Sequence, residues 1–429
     1  MYPPSLAPPE WPTSWGKVPA RRVKPYWRPP TLILRQALSA LYLGALTRWH
    51  HLPQWIFNYG FQCLPGAAGA RGMGCIGFPT HPVWEVTAAC NLQCIHCHLA
   101  AGKRTEDELT TAEGKRLLDQ LAQVSEFRMM AFTGGEPLIR GDLFELLAYS
   151  QALGFSNTMA TNATLIDDAV AQRLRRFGVT IAAVSLDGFD AQTHDRVRGQ
   201  RGAFARALRG MRALQEAGIL LHVNVTAMTY NLDQIEPLMK LIDTLGAGIL
   251  LMYQLVPVGR GREIGENSLN LKTNERLIRT LARAQRESHA IIEPVGGPQY
   301  WAYLLQRAGV RGGPLQRLAE MVFHGCAAGR GLAYIKPDGE VWPCPFVEIS
   351  AGNVRHTPFA QLWETATIFQ ELRAREERLR GRCGQCVYQR LCGGCRGRAW
   401  ALTGDYLAED PSCFLHDTEK KKKISPLRL

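Results

Sequence analysis

Cys90-Asn91-Leu92-Gln93-Cys94-Ile95-His96-Cys97 puts three thiols on one short loop, directly after the apolar run Val83–Thr87. This C-x₃-C-x₂-C spacing can hold three irons of a cubane and leave the fourth open to a ligand that is not protein. A closed zinc site would want a fourth protein ligand, and His96 or His98 lies too close in sequence to serve comfortably. In a β/α barrel a loop that follows a strand lies at the C-terminal face, where ligands bind.

Working outward, short β-branched or apolar runs recur at Val83–Thr87, Arg128–Phe132, Ser156–Ala160, Thr180–Ser185, Leu220–Thr226 and Ile249–Gln254. Amphipathic stretches near 110–124, 141–153, 166–177, 203–217 and 231–245 separate them, with a period of about 35 to 45 residues. Right-handed crossovers turn six such units into a parallel sheet that curls. The expected class is therefore α/β, a partial (β/α)6 barrel rather than a flat doubly wound sheet. After Pro257 the alternation stops, and 273–323 reads mainly as helix and loop broken by Pro294, Pro298 and Pro314. Residues 331–343 read as a hairpin turning at Pro337-Asp338-Gly339.

Residues 1–30 are rich in proline and read as an extended arm without a core. Residues 31–61 carry a helical apolar pattern with Trp49, Trp55, Phe57 and Tyr59, but Arg35 keeps the apolar stretch well under a membrane span. Two placements stay open for it: peripheral contact with a membrane, or docking on the catalytic domain, which asks less because the aromatic face has no basic counter-face. Gly66 to Gly77 is a glycine-rich connector, and Cys63 and Cys75 read as packed or free thiols. The chain divides into a Pro-rich arm and aromatic extension (1–80), a partial barrel (81–260), a helical connector (261–320), a second cysteine-bearing domain (321–415) and a basic tail (416–429).

A hydrophobic fraction of 46% and a charged fraction of 21% fit a soluble globular protein, and 429 residues suit one large domain with an appendage, or two domains. The 12 cysteines are clustered, and prolines interrupt any signal-peptide pattern in residues 1–30. A reducing cytoplasm is the expected location, where such clusters read as metal sites. The net charge of +12 raises a nucleic-acid reading, but no recognition motif accompanies it, and Lys420 to Lys423 sit in the terminal tail. A basic cleft for an anionic substrate is the milder expectation.

The cysteine triad resembles the signature of the radical S-adenosylmethionine (SAM) superfamily, and the resemblance covers most of residues 82–256. His96 stands where the superfamily usually has another aromatic residue. Gly134-Gly135-Glu136-Pro137, one βα unit after the triad, looks like the second signature, whose backbone groups hold the methionyl amine of SAM. The resemblance also implies polar contacts to SAM from Asn162, Ser185, Asp187 and Arg198, the last as a bidentate partner of the methionyl carboxylate. It implies a [4Fe–4S] cluster on Cys90, Cys94 and Cys97 that donates an electron to SAM, giving methionine and a 5′-deoxyadenosyl radical that abstracts hydrogen from substrate.

Seven further cysteines follow: Cys326, Cys344, Cys383, Cys386, Cys392, Cys395 and Cys413. Their C-x₂-C pairs could also build a zinc ribbon, but the preceding signature favours iron–sulfur. The set resembles the SPASM extension of the superfamily. That resemblance implies one auxiliary cluster on Cys326, Cys344 and Cys395, and a second on Cys383, Cys386, Cys392 and Cys413. The first then lacks a fourth cysteine, and an open iron or a ligand such as His324 is expected. Only Gly393 and Gly394 separate Cys392 from Cys395, where many SPASM proteins have three residues.

The stretch from Cys392 to Asp405, with Val256-Pro257-Val258-Gly259-Arg260-Gly261, resembles a subgroup that includes heme-forming decarboxylases and mycofactocin peptide maturases. The expectation is a radical SAM oxidoreductase with auxiliary iron–sulfur clusters. Its substrate is either a tetrapyrrole, whose propionates suit the basic balance, or a small peptide. An external one-electron donor such as flavodoxin or ferredoxin is implied. A non-catalytic iron–sulfur or zinc protein is the reading of another class. No general base is assigned; Tyr253, Gln254 and Arg260 are expected at the barrel mouth.

Overall fold

The computed structural model describes residues 81–124, 127, 129–285, 288, 290–322 and 325–415. The arm and aromatic extension with Cys63 and Cys75, His324 and the basic tail lie outside the described residues.

The six expected strands form within a residue or two of their expected limits: β1 (His81–Glu85), β2 (Met129–Thr133), β3 (Ser156–Thr161), β4 (Val179–Ser185), β5 (Leu220–Ala227) and β6 (Ile249–Gln254). They pair parallel in chain order. Helices at Thr111–Ala122, Leu143–Ala152, Asp168–Arg176, Ala203–Glu216 and Ile235–Thr244 make the crossovers, with a further helix at Ala191–Arg198. Their starts are written in the sequence. Thr110 and Glu113 form a capping box on the first, and Asp167 and Asp190 cap two others by accepting backbone N–H groups. Side chains alternate along each strand: Phe132, Met159, Val184, Val223 and Met252 are buried in the outer core, while Thr133, Ala160, Ser185, Asn224 and Tyr253 face a central cavity.

Two features depart from the expected six-stranded unit. A seventh strand, β7 (Ile291–Val295), pairs parallel with β6 inside the region expected to be helix and loop. Pro294 read as a breaker, but β7 ends the sheet order, and an edge strand has no ladder bond for proline to break on its outer side. The expected hairpin forms as β8 (Leu332–Ile335) and β9 (Glu340–Trp342), joined by β10 (Gly352–Asn353). β8 pairs parallel with β1, so the cysteine-bearing C-terminal region continues the barrel's own sheet. The result is an open ten-stranded sheet, β10-β9-β8-β1-β2-β3-β4-β5-β6-β7. Tyr334 on β8 stands opposite Val83 on β1, which carries Cys326 and Cys344 to the same side of the sheet as the triad loop.

Candidate active site

The triad loop is closed at its base and cradled from three sides. Cys90 N–H donates to Gly102 O at 2.9 Å and Gly102 N–H to Ala88 O at 3.0 Å, pinching residues 90–101 into a loop. Buried Glu108 fixes the strand exit by accepting from Thr87 Oγ1 and Ala88 N. After β4, Gly199 (φ +69°) lies so near that a Cβ would sit 2.4 Å from Gln93 O. After β6, Gly259 (φ +52°) would meet His98 O at 2.4 Å, and Arg260 donates through its backbone to Cys97 O and through its side chain to Cys94 O and Ala101 O.

The third side is the Gly134-Gly135 turn. A Cβ on Gly135 would lie 2.2 Å from Ala89 O, and one on Gly134 2.6 Å from Thr87 O. The glycines are therefore demanded by the triad loop itself, whose backbone packs against them.

The side chains expected to touch SAM divide into two groups. Gly134, Gly135, Asn162, Ser185 and Arg198 line the cavity together with Cys90, Cys94 and Cys97. Asn162 donates to Asn91 Oδ1 at 2.9 Å, tying the end of β3 to the triad loop. Pro137, Glu136 and Asp187 do not reach the cavity wall.

Glu136 is wholly buried and accepts from Thr161 Oγ1, Asn162 N and Leu138 N; burial pushes its carboxyl up to about 7 against these bonds. Asp187 lies 2.6 Å from Arg198 Nη2 and 3.5 Å from His96 Nε2, and accepts from Thr226 N. Burial alone would raise the Asp187 carboxyl, but Arg198 and His96 outweigh it and hold it below its ordinary range.

Each of these two carboxylates braces the loops around the cavity, because a carboxylate so deeply buried needs partners from the chain. Arg198 places Nη2 on Asp187 and Nη1 3.6 Å from Cys94 Sγ, while its buried Nε has no hydrogen-bond partner.

His96 lines the cavity beside the thiols, its pKa lowered to about 4 by burial, so it is neutral near pH 7. Burial raises the Cys90 thiol to about 11 and moves Cys94 in the same direction, with Arg198 opposing at Cys94. Such thiols become thiolates when a metal replaces the proton.

Cys326, Cys344 and Cys395 line the same cavity, which holds about 300 Å³. Cys383, Cys386, Cys392 and Cys413 form a separate group, in which burial and then repulsion by Cys413 and Cys383 raise Cys392 far above its ordinary value, and burial, with Asp410 adding, raises Cys413 to about 12. No three Cys, His, Asp or Glu side chains among the described residues are set to hold a single metal ion; a cubane spreads its ligand sulfurs wider. All-thiol groups flanked by buried, unspent Arg donors fit anionic clusters.

Three connections escaped the sequence reading. Tyr334 donates to Glu85 Oε1 at 2.6 Å, and Tyr334 Oη also lies 3.3 Å from His98 Nε2, linking β1, β8 and the triad loop. Burial raises Glu85 to about 7, with Lys336 at 3.7 Å opposing. Buried Arg398 grips Asp410 with Nε and Nη2 at 2.7 and 2.8 Å and Gln254 with Nη1, while Asp410 accepts from Cys395 N, joining the last cysteines to the end of β6. Gln254, Tyr253 and Arg260 all line the cavity, Gln254 as a buried joint as well.

Comparison with known proteins adds the following. The family pattern of the radical SAM superfamily matches residues 84–242, and the SPASM pattern, an iron–sulfur cluster-binding domain, matches residues 326–387. The AdoMet-dependent heme synthase of Methanosarcina barkeri is 38% identical over 341 residues, spanning 79% of this chain and 97% of the relative. The mycofactocin maturase MftC of Mycobacterium ulcerans is 32% identical over 342 residues, spanning 77% and 86%. Among solved structures, SuiB of Streptococcus suis bound to its precursor peptide SuiA superposes with a TM-score of 0.62 at 20% identity over 79% of this chain and 75% of that one, a likeness of fold.

Proposed function

This chain belongs to the radical SAM superfamily, as an enzyme with a C-terminal SPASM domain, and from that premise we propose that it oxidatively decarboxylates a propionate side chain of a tetrapyrrole. The observation that carries the reading is the single cavity lined both by Cys90, Cys94 and Cys97 and by Cys326, Cys344 and Cys395. When bound, SAM and the cluster on the first thiols supply a 5′-deoxyadenosyl radical, and an auxiliary cluster on the second supplies one-electron acceptance.

The chain's own residues hold and orient. Gly134 and Gly135 let the loops close around the triad, and Asn162 and Ser185 offer polar groups on the wall toward SAM. Arg198 Nε and Arg260 Nη2 are buried donors without hydrogen-bond partners beside the cavity, suited to carboxylates of SAM or substrate. Apolar strand residues such as Val83, Ile181 and Leu251 exclude water from a reactive radical. Loss of one hydrogen atom, one electron and CO2 turns a propionate side chain into a vinyl group, so the reaction balances when the site removes both.

The heme synthase relative supports a tetrapyrrole, and the MftC relative supports a short peptide as the second reading. The ten free thiols among the described residues suit a reducing cytoplasm and an external donor such as flavodoxin or ferredoxin. No helix among the described residues is long and apolar enough to cross a membrane. The peripheral membrane contact proposed for residues 31–61 falls outside the described residues.

The test is anaerobic reconstitution with dithionite, SAM and an iron tetrapyrrole bearing propionates. Formation of 5′-deoxyadenosine together with CO2 and a vinyl product is expected. Turnover with a short peptide but none with the tetrapyrrole would replace this reading by the second.

A further inference from the structure

Three buried arginines surround the C-terminal thiols, and two of them are accounted for. Arg398 is spent on Asp410, Gln254 and Gly296 O, and Arg396 donates to Tyr406 O and Ala408 O. Arg375 is different. Its side chain is fully buried, and Nη1 donates to Cys326 O at 2.6 Å, but Nε and Nη2 have no hydrogen-bond partner. The nearby carboxylate, Glu376, stays 4.0 Å from Nε and is engaged by Arg330.

The guanidinium lies flat against Gly393, where a Cβ would stand 2.9 Å from Cζ and Nε and 3.0 Å from Nη2. It therefore sits between the Cys326 backbone and the loop carrying Cys392 and Cys395, one thiol from each of the two C-terminal groups. This also accounts for the short two-glycine spacing there: Gly393, at φ +65°, leaves the room the guanidinium occupies.

Two buried guanidinium N–H groups without hydrogen bonds call for an acceptor nearer than Glu376 at 4.0 Å. An iron–sulfur cluster supplies one, since its sulfides accept N–H bonds and its net charge is negative. We infer that Arg375 points its free Nε–H and Nη2–H at the cluster held by the Cys326, Cys344 and Cys395 group and raises that cluster's reduction potential. This rests on the reading that those thiols hold a cluster. Arg375 is a positioning residue: it ligates nothing and touches no substrate, and it sets how readily that cluster takes an electron.

The experiment is a redox titration of the full chain, anaerobically reconstituted, followed by EPR without substrate. Arg375→Met should lower the potential of one auxiliary couple so that its oxidised-to-reduced ratio at a fixed poise rises about tenfold, or about 59 mV for one electron. Arg375→Lys, which keeps the charge without the fork, should shift it less, and Gly393→Ala, which displaces the guanidinium, should shift it in the same direction. The triad couple should stay unchanged in all three.

Auxiliary couples at wild-type potential in variants with full iron would overturn the inference. So would loss of the auxiliary iron from all three variants while the triad still loads, which would make Arg375 a folding residue. Cys326→Ala separates the premise from the inference: unchanged iron content and EPR in that variant would remove the cluster itself.

Discussion

Arg198 and Asp187 form a buried ion pair, Nη2 to Oδ2 at 2.6 Å, and Arg198 Nη1 lies 3.6 Å from the Cys94 sulfur. The pair joins the loop after β4 to the triad loop through His96.

Breaking this pair from one side strands a buried charge. Asp187→Asn is expected to destabilise the chain by about 3–5 kcal/mol, read from the urea unfolding midpoint. A midpoint equal to wild type would mean that Arg198 finds another anion without Asp187.

Glu85 supplies a pH signature. Its carboxyl titrates near 7 in the folded chain, raised by burial, and near the ordinary 4.5 when unfolded. Between those values the folded chain holds the extra proton, so this group's contribution to stability falls as pH rises through that window. Buried His96 and His194, with lowered pKa values, tilt stability the other way, so the comparison must be with a variant that shares them. Relative to wild type, Glu85→Gln should gain up to about 3 kcal/mol between pH 4.5 and 7, read from denaturant midpoints at the two pH values. A pH-independent difference would place the Glu85 pKa near its ordinary value.

Gly135→Ala tests the packing of the two signatures. A Cβ 2.2 Å from Ala89 O must push the triad loop away, so iron at the triad should fall by about four atoms per chain while the auxiliary iron stays. Full triad iron with normal SAM cleavage would show that the turn can yield at no cost.

Much of this was legible in the sequence, for identifiable reasons. Strands β1 to β6 are buried on both faces, so they read as apolar runs, and their helices carry Thr110, Asp167 and Asp190 as caps. Thiol spacing announced the triad because ligands from one loop leave a local mark. β7 stayed hidden behind Pro294, which only an edge position permits. The Tyr334–Glu85 bond joins residues 249 apart in sequence, and neither residue type hints at the other. The bracing contacts of Glu136 and Asp187 left no mark in the sequence, because burial, and with it the need for internal partners, is set by the assembled sheet.

The central claim is that Cys90, Cys94 and Cys97 hold the cluster that cleaves SAM. The direct measurement is 5′-deoxyadenosine formation by the anaerobically reconstituted chain with dithionite and SAM, beside a variant with all three cysteines changed to alanine. Wild type should form 5′-deoxyadenosine; the variant should form none and should lose about four irons while keeping its auxiliary iron. Undiminished 5′-deoxyadenosine from the variant, or none from fully loaded wild type, would contradict the account.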